Sequence, residues 1–410
     1  MAWSIDDNKG AMTDRVYTLF PELQRDLHSL SFTTGILPSQ KIRELIENGR
    51  IAAAAPIDDD QIQPSSIDLR LGPVAYRMQS SFLPGANGVV ERKLQELVMT
   101  TIDLSRPTVF EKGCVYLVPL IERLALPPDV SAKANPKSTT GRLDIFTRLI
   151  CDGGAEFERV PEGYKGTLYA EIVPRTFTII VQAGVKLNQL RFIRGCPPPS
   201  DSTHKKLDAE ERLVYMDEDL PQDAQINGGL MVSLNLQGDK NGNIIGYRAK
   251  QNTPAVDLLK RDYYDPDEFW DPIPEPRNKR IILNPNDFYI LLSKEKVRIP
   301  PGFAAEMVAY DPSMGEFRIH YAGFFDPGFG YGASNVKGAH AVLEVRSHEV
   351  PFLVEDGQIV GRLIYERLLA QSDKIYGLGI GSSYQGQGLA LSKQFKSVRP
   401  AAVPSPLSAP

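Results

Sequence analysis

One motif occurs twice in this chain, and the residues around it keep step. In Tyr169-Ala170-Glu171-Ile172 the glutamate stands 13 residues before Gly184, and in Val342-Leu343-Glu344-Val345 it stands 13 before Gly357, an offset of 173 residues. The same offset relates Tyr116 to Tyr289, Glu122 to Glu295, and Pro127-Pro128 to Pro300-Pro301. A constant offset across several anchors marks duplication of one domain. The 410 residues must therefore build one architecture twice, each copy with its own core. Duplication also makes one glutamate per copy the first candidate for chemistry.

Within each copy the pattern is that of short strands cut by Gly and Pro turns. Ser66–Gly72 alternates like a half-buried strand, with Val232–Leu236 as its counterpart. Cys114–Pro119, Thr167–Val173, Phe177–Val181, Ala341–Val345 and Ile359–Tyr365 read the same way. So punctuated, the chain is predicted to be mainly β: two tandem distorted β-barrel or jelly-roll domains with short flanking helices. One helix is expected over Lys41–Glu47, with Ser39 as N-cap, Ile42, Leu45 and Ile46 as its apolar stripe, and Gly49 as its stop. Another is expected near Pro21–Leu30. The expected divisions are an N-terminal extension over 1–34, a first domain over 35–195, a linker over 196–224, a second domain over 225–370, a C-terminal lid over 371–395, and a disordered Pro/Ala/Ser-rich tail over 396–410. Residues 251–280, rich in Asp, Pro and aromatics, read as an insertion in the second copy.

Bulk properties exclude several classes. A net charge of −5 gives no general field for nucleic acid, so a phosphorylated ligand needs a local basic cluster. Three cysteines, Cys114, Cys151 and Cys196, form no C-x-x-C pair, which argues against a zinc-thiolate site. Their odd number and the lack of a secretory signal point to a reducing cytoplasm. No apolar run approaches 18 residues, so no membrane span is expected. His28, His204, His320, His340 and His348 fall in no zinc-hydrolase pattern.

Four segments carry residues suited to chemistry. Lys137-Ser138-Thr139-Thr140-Gly141-Arg142 offers a cation, three hydroxyls, a glycine and an arginine, the donors that phosphate oxygens take; a plain polar turn would read alike. Asp326-Pro327-Gly328 is a turn between aromatics, fit either to hold a base or sugar or simply to close a hairpin. Glu171 and Glu344 each sit in an apolar strand, where burial would raise the carboxyl pKa into the range useful for proton transfer, unless the side chain faces solvent. Finally, Lys374-Ile375-Tyr376 and Ser383-Tyr384-Gln385-Gly386-Gln387-Gly388 read as a mobile tail able to close on a ligand, or as disorder.

Together these segments resemble the metal-free dCTP deaminases of the dUTPase-like superfamily, in a long duplicated form. Gly35-Ile36-Leu37-Pro38 and Ile62–Gly72 look like the family's opening, Lys137–Arg142 like its Arg-Ser-Ser-x-x-Arg loop, Gly163–Glu171 like its Gly-Trp-x-Gly-x-x-x-Leu-Glu strand, and Tyr384–Gln387 like its tail. The resemblance covers residues 35–195 and 225–394. It implies trimeric β-barrels, Ser and Arg groups on phosphates and water, a glutamate as proton shuttle, a closing tail, and Mg²⁺ arriving with the triphosphate. It implies dCTP and dUTP as partners, dTTP as an inhibitor, a homo-oligomer, and neither nucleic acid nor membrane.

The departures from the family pattern suggest complementary copies. Copy one has Lys137 where the family has Arg, and Glu158–Gly163 in place of the Asp-Pro-Gly turn. Copy two reads Tyr310–Glu316 at its loop, without the family's arginines, yet keeps Asp326-Pro327-Gly328, Glu344 and the tail. Copy one would then supply Lys137, Ser138, Thr139, Thr140 and Arg142. Copy two would supply Asp326, Val342, Leu343, Glu344, Tyr376, Tyr384 and Gln387. Glu344 is read as the working carboxylate; the alternative is a site within copy one built on Glu171. The function expected is hydrolysis of dCTP to dUTP and ammonia. A dUTP diphosphatase, a bifunctional enzyme, or a silent nucleotide-binding regulator are the alternatives.

Overall fold

The computed structural model describes residues 33–195, 200–216, 219–238, 244–309, 317–319, 323–331, 337–347, 350–377 and 388–397. The expected helix near Pro21–Leu30 and the loop Tyr310–Glu316 lie outside them, as do Tyr384 and Gln387. The protein is mainly β. In the first copy one sheet runs Gly35–Ile36, Lys186–Arg194, Val130–Pro136, Arg159–Val160, with Ile67–Arg70 also on Lys186–Arg194. The facing sheet runs Val98–Asp103, Val74–Met78, Val115–Ala125, Lys165–Pro174, Ile145–Cys151. Alternating side chains such as Leu168, Ala170 and Ile172 fill the core between them. The second copy builds its own core around Phe288–Val297 and Ala339–Ser347, with Leu291, Leu343 and Val345 inside.

The 173-residue offset survives in the hydrogen-bond register. Glu171 pairs with Leu117 and Glu344 with Ile290, so equivalent residues face equivalent residues. Tyr116 accepts at its hydroxyl from the Glu111 amide (2.9 Å), and Tyr289 does so from the Asn284 amide (3.0 Å). Gly184 and Gly357 turn at φ +85° and +79°, and each donates its amide 2.8 Å to the neighbouring strand, at Leu71 and Leu234. Glu122 accepts from the Arg70 amide and guanidinium, Glu295 from the Ser233 amide and hydroxyl. These anchors therefore maintain the same architecture in both copies.

Three local expectations differ from the structure. The helix spans Ser39–Glu47, but Pro38 holds the N-cap position and the Ser39 hydroxyl turns to Ser372 and Asp373 instead. The 196–224 segment, expected as a linker, carries the helix Asp201–Glu211, whose Leu207 enters the second core. It reads as polar because only His204, Leu207 and Asp208 are buried. Residues 251–280, expected as an insertion, have a counterpart: an excursion over 79–97 leaves the first copy between equivalent strands, as 250–269 leaves the second. The two excursions go different ways. The first folds into the helix Val90–Leu97 over its own copy. The second crosses over, where Val256–Asp257 pairs in parallel with Ile179–Val181 and Leu258 and Phe269 join the first core. Among the described residues no helix is long and apolar enough to cross a membrane.

Candidate active site

Strand alternation decides what the second copy shows to the first. Along Ala339–Ser347, Ala341, Leu343 and Val345 point into their own core, leaving His340, Val342, Glu344 and Arg346 on the other face. Arg346 reaches across to Asp144 and to the Thr176 hydroxyl (2.8 Å), which itself donates to Asp144 at 2.5 Å. Both charged partners are buried, so the contact fixes the strand against copy one. Two residues from each end of that contact, Glu344 and Arg142 line the same cavity.

That cavity, about 730 Å³, opens where the copies meet. Copy one contributes Lys137, Ser138, Thr139, Thr140 and Arg142; copy two contributes Asp326, Val342, Leu343, Glu344 and Tyr376. The loop is held from below: the Lys137 amide donates to Leu187 O (2.8 Å), and so does the Thr140 hydroxyl (2.9 Å). Thr140 thus has a scaffold bond, while Ser138, the first residue of the helical turn Ser138–Gly141, is exposed. Lys137 pairs with Asp68 at 2.5 Å. Leu343 sends its side chain into the second core, so only its backbone can serve a ligand.

Asp326 is clamped by copy one. Ser65 donates to it at 2.6 Å, and Arg191, wholly buried, donates to Ser65 (3.1 Å) and to the Phe325 carbonyl (3.3 Å). The Arg191 guanidinium also lies 3.9 Å from the Phe324 ring centre. Burial raises the Asp326 pKa, against the pull of Arg191, Ser65 and Lys137. Phe329, edge-on to Phe325 at 5.0 Å and beside Tyr376 at 5.5 Å, gives the cavity an aromatic wall.

The two duplicated glutamates stand in different surroundings. Glu344 is 6% exposed; burial pushes its carboxyl up to about 7, with Arg142 opposing. Glu171 does not line the cavity. It accepts from Arg148 Nη2 (2.5 Å) and Nε (3.0 Å), and Arg148 stacks 3.5 Å over Phe157. Tyr169, on the same strand face, packs under Val90 and Leu94 of the first copy's helix. The position that is open in copy two is thus filled in copy one.

The cavity also holds cations that no sequence motif singled out, Lys186, Arg261 and Lys393, which join Lys374 of the C-terminal segment. Only the tertiary path of the chain gathers them. Among the described residues no group of three or more His, Cys, Asp or Glu side chains is arranged to hold a metal ion.

Comparison with known proteins fits this geometry. The family model described as 2'-deoxycytidine 5'-triphosphate deaminase, N-terminal domain, matches residues 33–196, and the one for the C-terminal domain matches 200–395. A protein of Streptomyces coelicolor named dCTP deaminase, dUMP-forming, is 31% identical over 165 residues, covering 40% of this chain and 82% of that one. The dCTP deaminase of Natronomonas pharaonis is 29% identical over 200 residues, 47% of this chain and 95% of its own length. The crystal structure of 2'-deoxycytidine 5'-triphosphate deaminase from Agrobacterium tumefaciens superposes with a TM-score of 0.78 at 49% identity, covering 82% of this chain and all of that one.

Proposed function

The chain belongs to the 2'-deoxycytidine 5'-triphosphate deaminase family, and on that premise we propose that it hydrolyses the C4–N4 bond of dCTP in the cavity between its two copies, with Glu344 as proton shuttle. The observation that carries this reading is that Glu344, buried and with its carboxyl pushed up to about 7, shares the cavity with the segment Lys137–Arg142.

The steps follow from the groups present. Water adds to C4 as the Glu344 carboxylate takes one of its protons and passes it to ring N3, giving a tetrahedral centre. Glu344 then moves the remaining hydroxyl proton to the amino group. The C4–N4 bond breaks, ammonia leaves, and the carbonyl of uracil forms. A carboxyl titrating at about 7 is matched to accepting and returning protons at neutral pH. Arg142, the charge that bears on Glu344, stabilises its ionised form, and the exposed Ser138 at the start of its helical turn serves to orient water or phosphate. Lys137 and Thr139 hold phosphate oxygens, Asp326 and the aromatic wall hold the sugar and base, and Tyr376 closes the side. Magnesium enters as part of the substrate, on the triphosphate.

The product proposed is dUTP. A dUMP-forming course is the second reading, favoured by Asp68 and Asp326 in the same cavity, either of which could activate a second water near the phosphates. One experiment separates these outcomes: incubation with dCTP and Mg²⁺, following ammonia, dUTP, dUMP and pyrophosphate together, for the wild type, Glu344→Gln and Glu171→Gln. Ammonia with dUTP, lost in Glu344→Gln and kept in Glu171→Gln, is expected. Loss in Glu171→Gln alone would move the chemistry into copy one. Nucleotide binding without any turnover would make the chain a regulator.

A further inference from the structure

Strand Lys186–Arg194 sends alternate side chains to opposite sides. Leu190 and Phe192 are buried in the first core, so Gln189 and Arg191 take the other face. Arg191 is 1% exposed. Its Nη1 donates to Ala305 O (3.2 Å), and its Nη2 donates to the Ser65 hydroxyl (3.1 Å) and to Phe325 O (3.3 Å). All three acceptors are neutral, Nε is buried without a hydrogen bond, and the Glu366 carboxylate stands 3.8 Å away. Burying a guanidinium on such terms is costly. A well-packed hydrophobic residue would join the copies without that penalty, so the charge itself calls for a role.

That role lies one hydroxyl further on. Ser65 is 0% exposed and donates to Asp326 Oδ1 at 2.6 Å. A guanidinium cannot accept, so the bond from Arg191 turns the Ser65 proton toward the carboxylate. Burial raises the Asp326 pKa; the Arg191 charge is the largest influence against it, and the Ser65 bond comes next. The two residues thus favour the ionised carboxylate and fix one of its oxygens. The turn that carries it is fixed as well: the Gly328 amide donates to Ile299 O (2.9 Å) and the Tyr376 amide to Pro327 O (2.8 Å). Among the described residues only Ser65 donates to the Asp326 carboxylate, which leaves Oδ2 to a ligand in the cavity that Asp326 lines. An ionised carboxylate only accepts. The deoxyribose of a nucleotide esterified at its 5′ oxygen has a single hydroxyl to donate, at C3′.

We propose that Arg191 and Ser65 are positioning residues for Asp326, and that through them the chain selects nucleotides with a free 3′-hydroxyl. The inference rests on the reading of the cavity as the dCTP site with Asp326 on the sugar. Copy one then reads the sugar by way of a carboxylate that copy two supplies. Arg191 lies in none of the four segments that the sequence singled out for chemistry; only the packing of its strand against the second copy brings it to the Asp326 turn.

The test compares ammonia release from dCTP and from its 3′-deoxy analogue, dideoxy-CTP, by the full chain, for the wild type, Asp326→Ala, Ser65→Ala, Ser65→Thr and Arg191→Met. The wild type should prefer dCTP by about tenfold or more in kcat/KM, because the analogue leaves a charged acceptor without its hydroxyl. Ser65→Ala and Arg191→Met should each cut that preference at least about threefold, chiefly through KM for dCTP. Asp326→Ala should show none, and Ser65→Thr should stay close to wild type. A role in packing alone would lower activity on both nucleotides by one factor; a preference left intact in Ser65→Ala and Arg191→Met therefore overturns the proposal, as does a wild type indifferent to the 3′-hydroxyl. Where Arg191→Met does not fold, Ser65→Ala decides by the same ratio. If the wild type releases no ammonia at all, the deaminase reading falls. The ratio of calorimetric Kd values for the two nucleotides then decides the role of Arg191 and Ser65 by the same criterion, and binding of neither nucleotide rejects both readings.

Discussion

Arg346 of the second copy and Asp144 of the first meet as a buried ion pair, 4% and 1% exposed, beside the Thr176 hydroxyl. The pair sits two residues from Glu344 on one strand and two from Arg142 on the other, so it sets the spacing of the groups assigned to the chemistry. Replacing Arg346 by Met should strand a buried carboxylate and cost ~3–5 kcal/mol. Thermal unfolding should show a clear drop in Tm, and ammonia release should fall because Glu344 is no longer held against Arg142. The double variant with Asp144→Asn should recover part of the stability. An unchanged Tm in Arg346→Met would mean that the contact does not organise the junction.

The pH dependence should show a rising limb set by Glu344. Glu344 must be ionised to take a proton from water, so kcat/KM should rise with pH through about 7, falling roughly tenfold per pH unit below that. Rates measured from pH ~5.5 to ~9 check this, and a flat profile through neutrality would remove Glu344 as the base.

Glu171 should matter for stability rather than turnover. In its buried site the carboxylate is held by two hydrogen bonds from Arg148. Arg148→Ala removes that partner and the stack on Phe157, which should cost about 3 kcal/mol or more. The surviving folded protein should keep kcat within roughly twofold of wild type, because an interaction absent from the transition state leaves kcat unchanged. A large kcat effect without a Tm effect would contradict the assignment.

Glu158 provides a separate stability test. It takes a left-handed conformation at φ +66°, its Oε1 accepts from the Leu149 amide (3.2 Å), and its Oε2 is buried without a hydrogen bond. Burial pushes the carboxyl up to about 8, against Lys133 and Arg148 nearby. A carboxyl raised in this way stabilises the fold fully below its ordinary range near 4.5, and that contribution is lost as pH climbs through about 8. Glu158→Gln should therefore raise Tm above pH ~8, by an amount corresponding to ~1–3 kcal/mol, and have less effect under mildly acidic conditions. Melting curves at the two pH values test it; a Tm gain only under acidic conditions would reverse the sign.

The architecture was legible because its anchors are local. A tyrosine that closes a turn five residues away, a glycine forced to positive φ, and a glutamate that caps a neighbouring strand each leave a fixed residue at a fixed spacing. Repeated at one offset, they made the matching of the two copies readable. The grouping of Lys137–Arg142 with Glu344 could also be argued, since each copy keeps the residues that the other lacks. What stayed hidden depends on tertiary path. Arg261 and Lys393 become neighbours only because one excursion crosses copies and a later segment returns to it. The helix Asp201–Glu211 looked like linker because a narrow buried face leaves most of its residues in water. That Glu171 is covered follows from Arg148 and from the helix into which the first copy's excursion folds, where the second copy's excursion crosses over instead.

The crossing excursion has a consequence for how such a chain can change. Strand Val256–Asp257 completes a sheet of the first copy, while Leu258 and Phe269 fill its core. There is accordingly no cut point that leaves two self-sufficient halves, although the two copies share one strand register. A recombination event that traded either half for a shorter relative would remove one wall of the other's core as well as part of the pocket. The two copies are no longer spares for each other but one heritable unit, with the hydroxyl- and arginine-bearing segment of the pocket kept in one and its buried glutamate in the other.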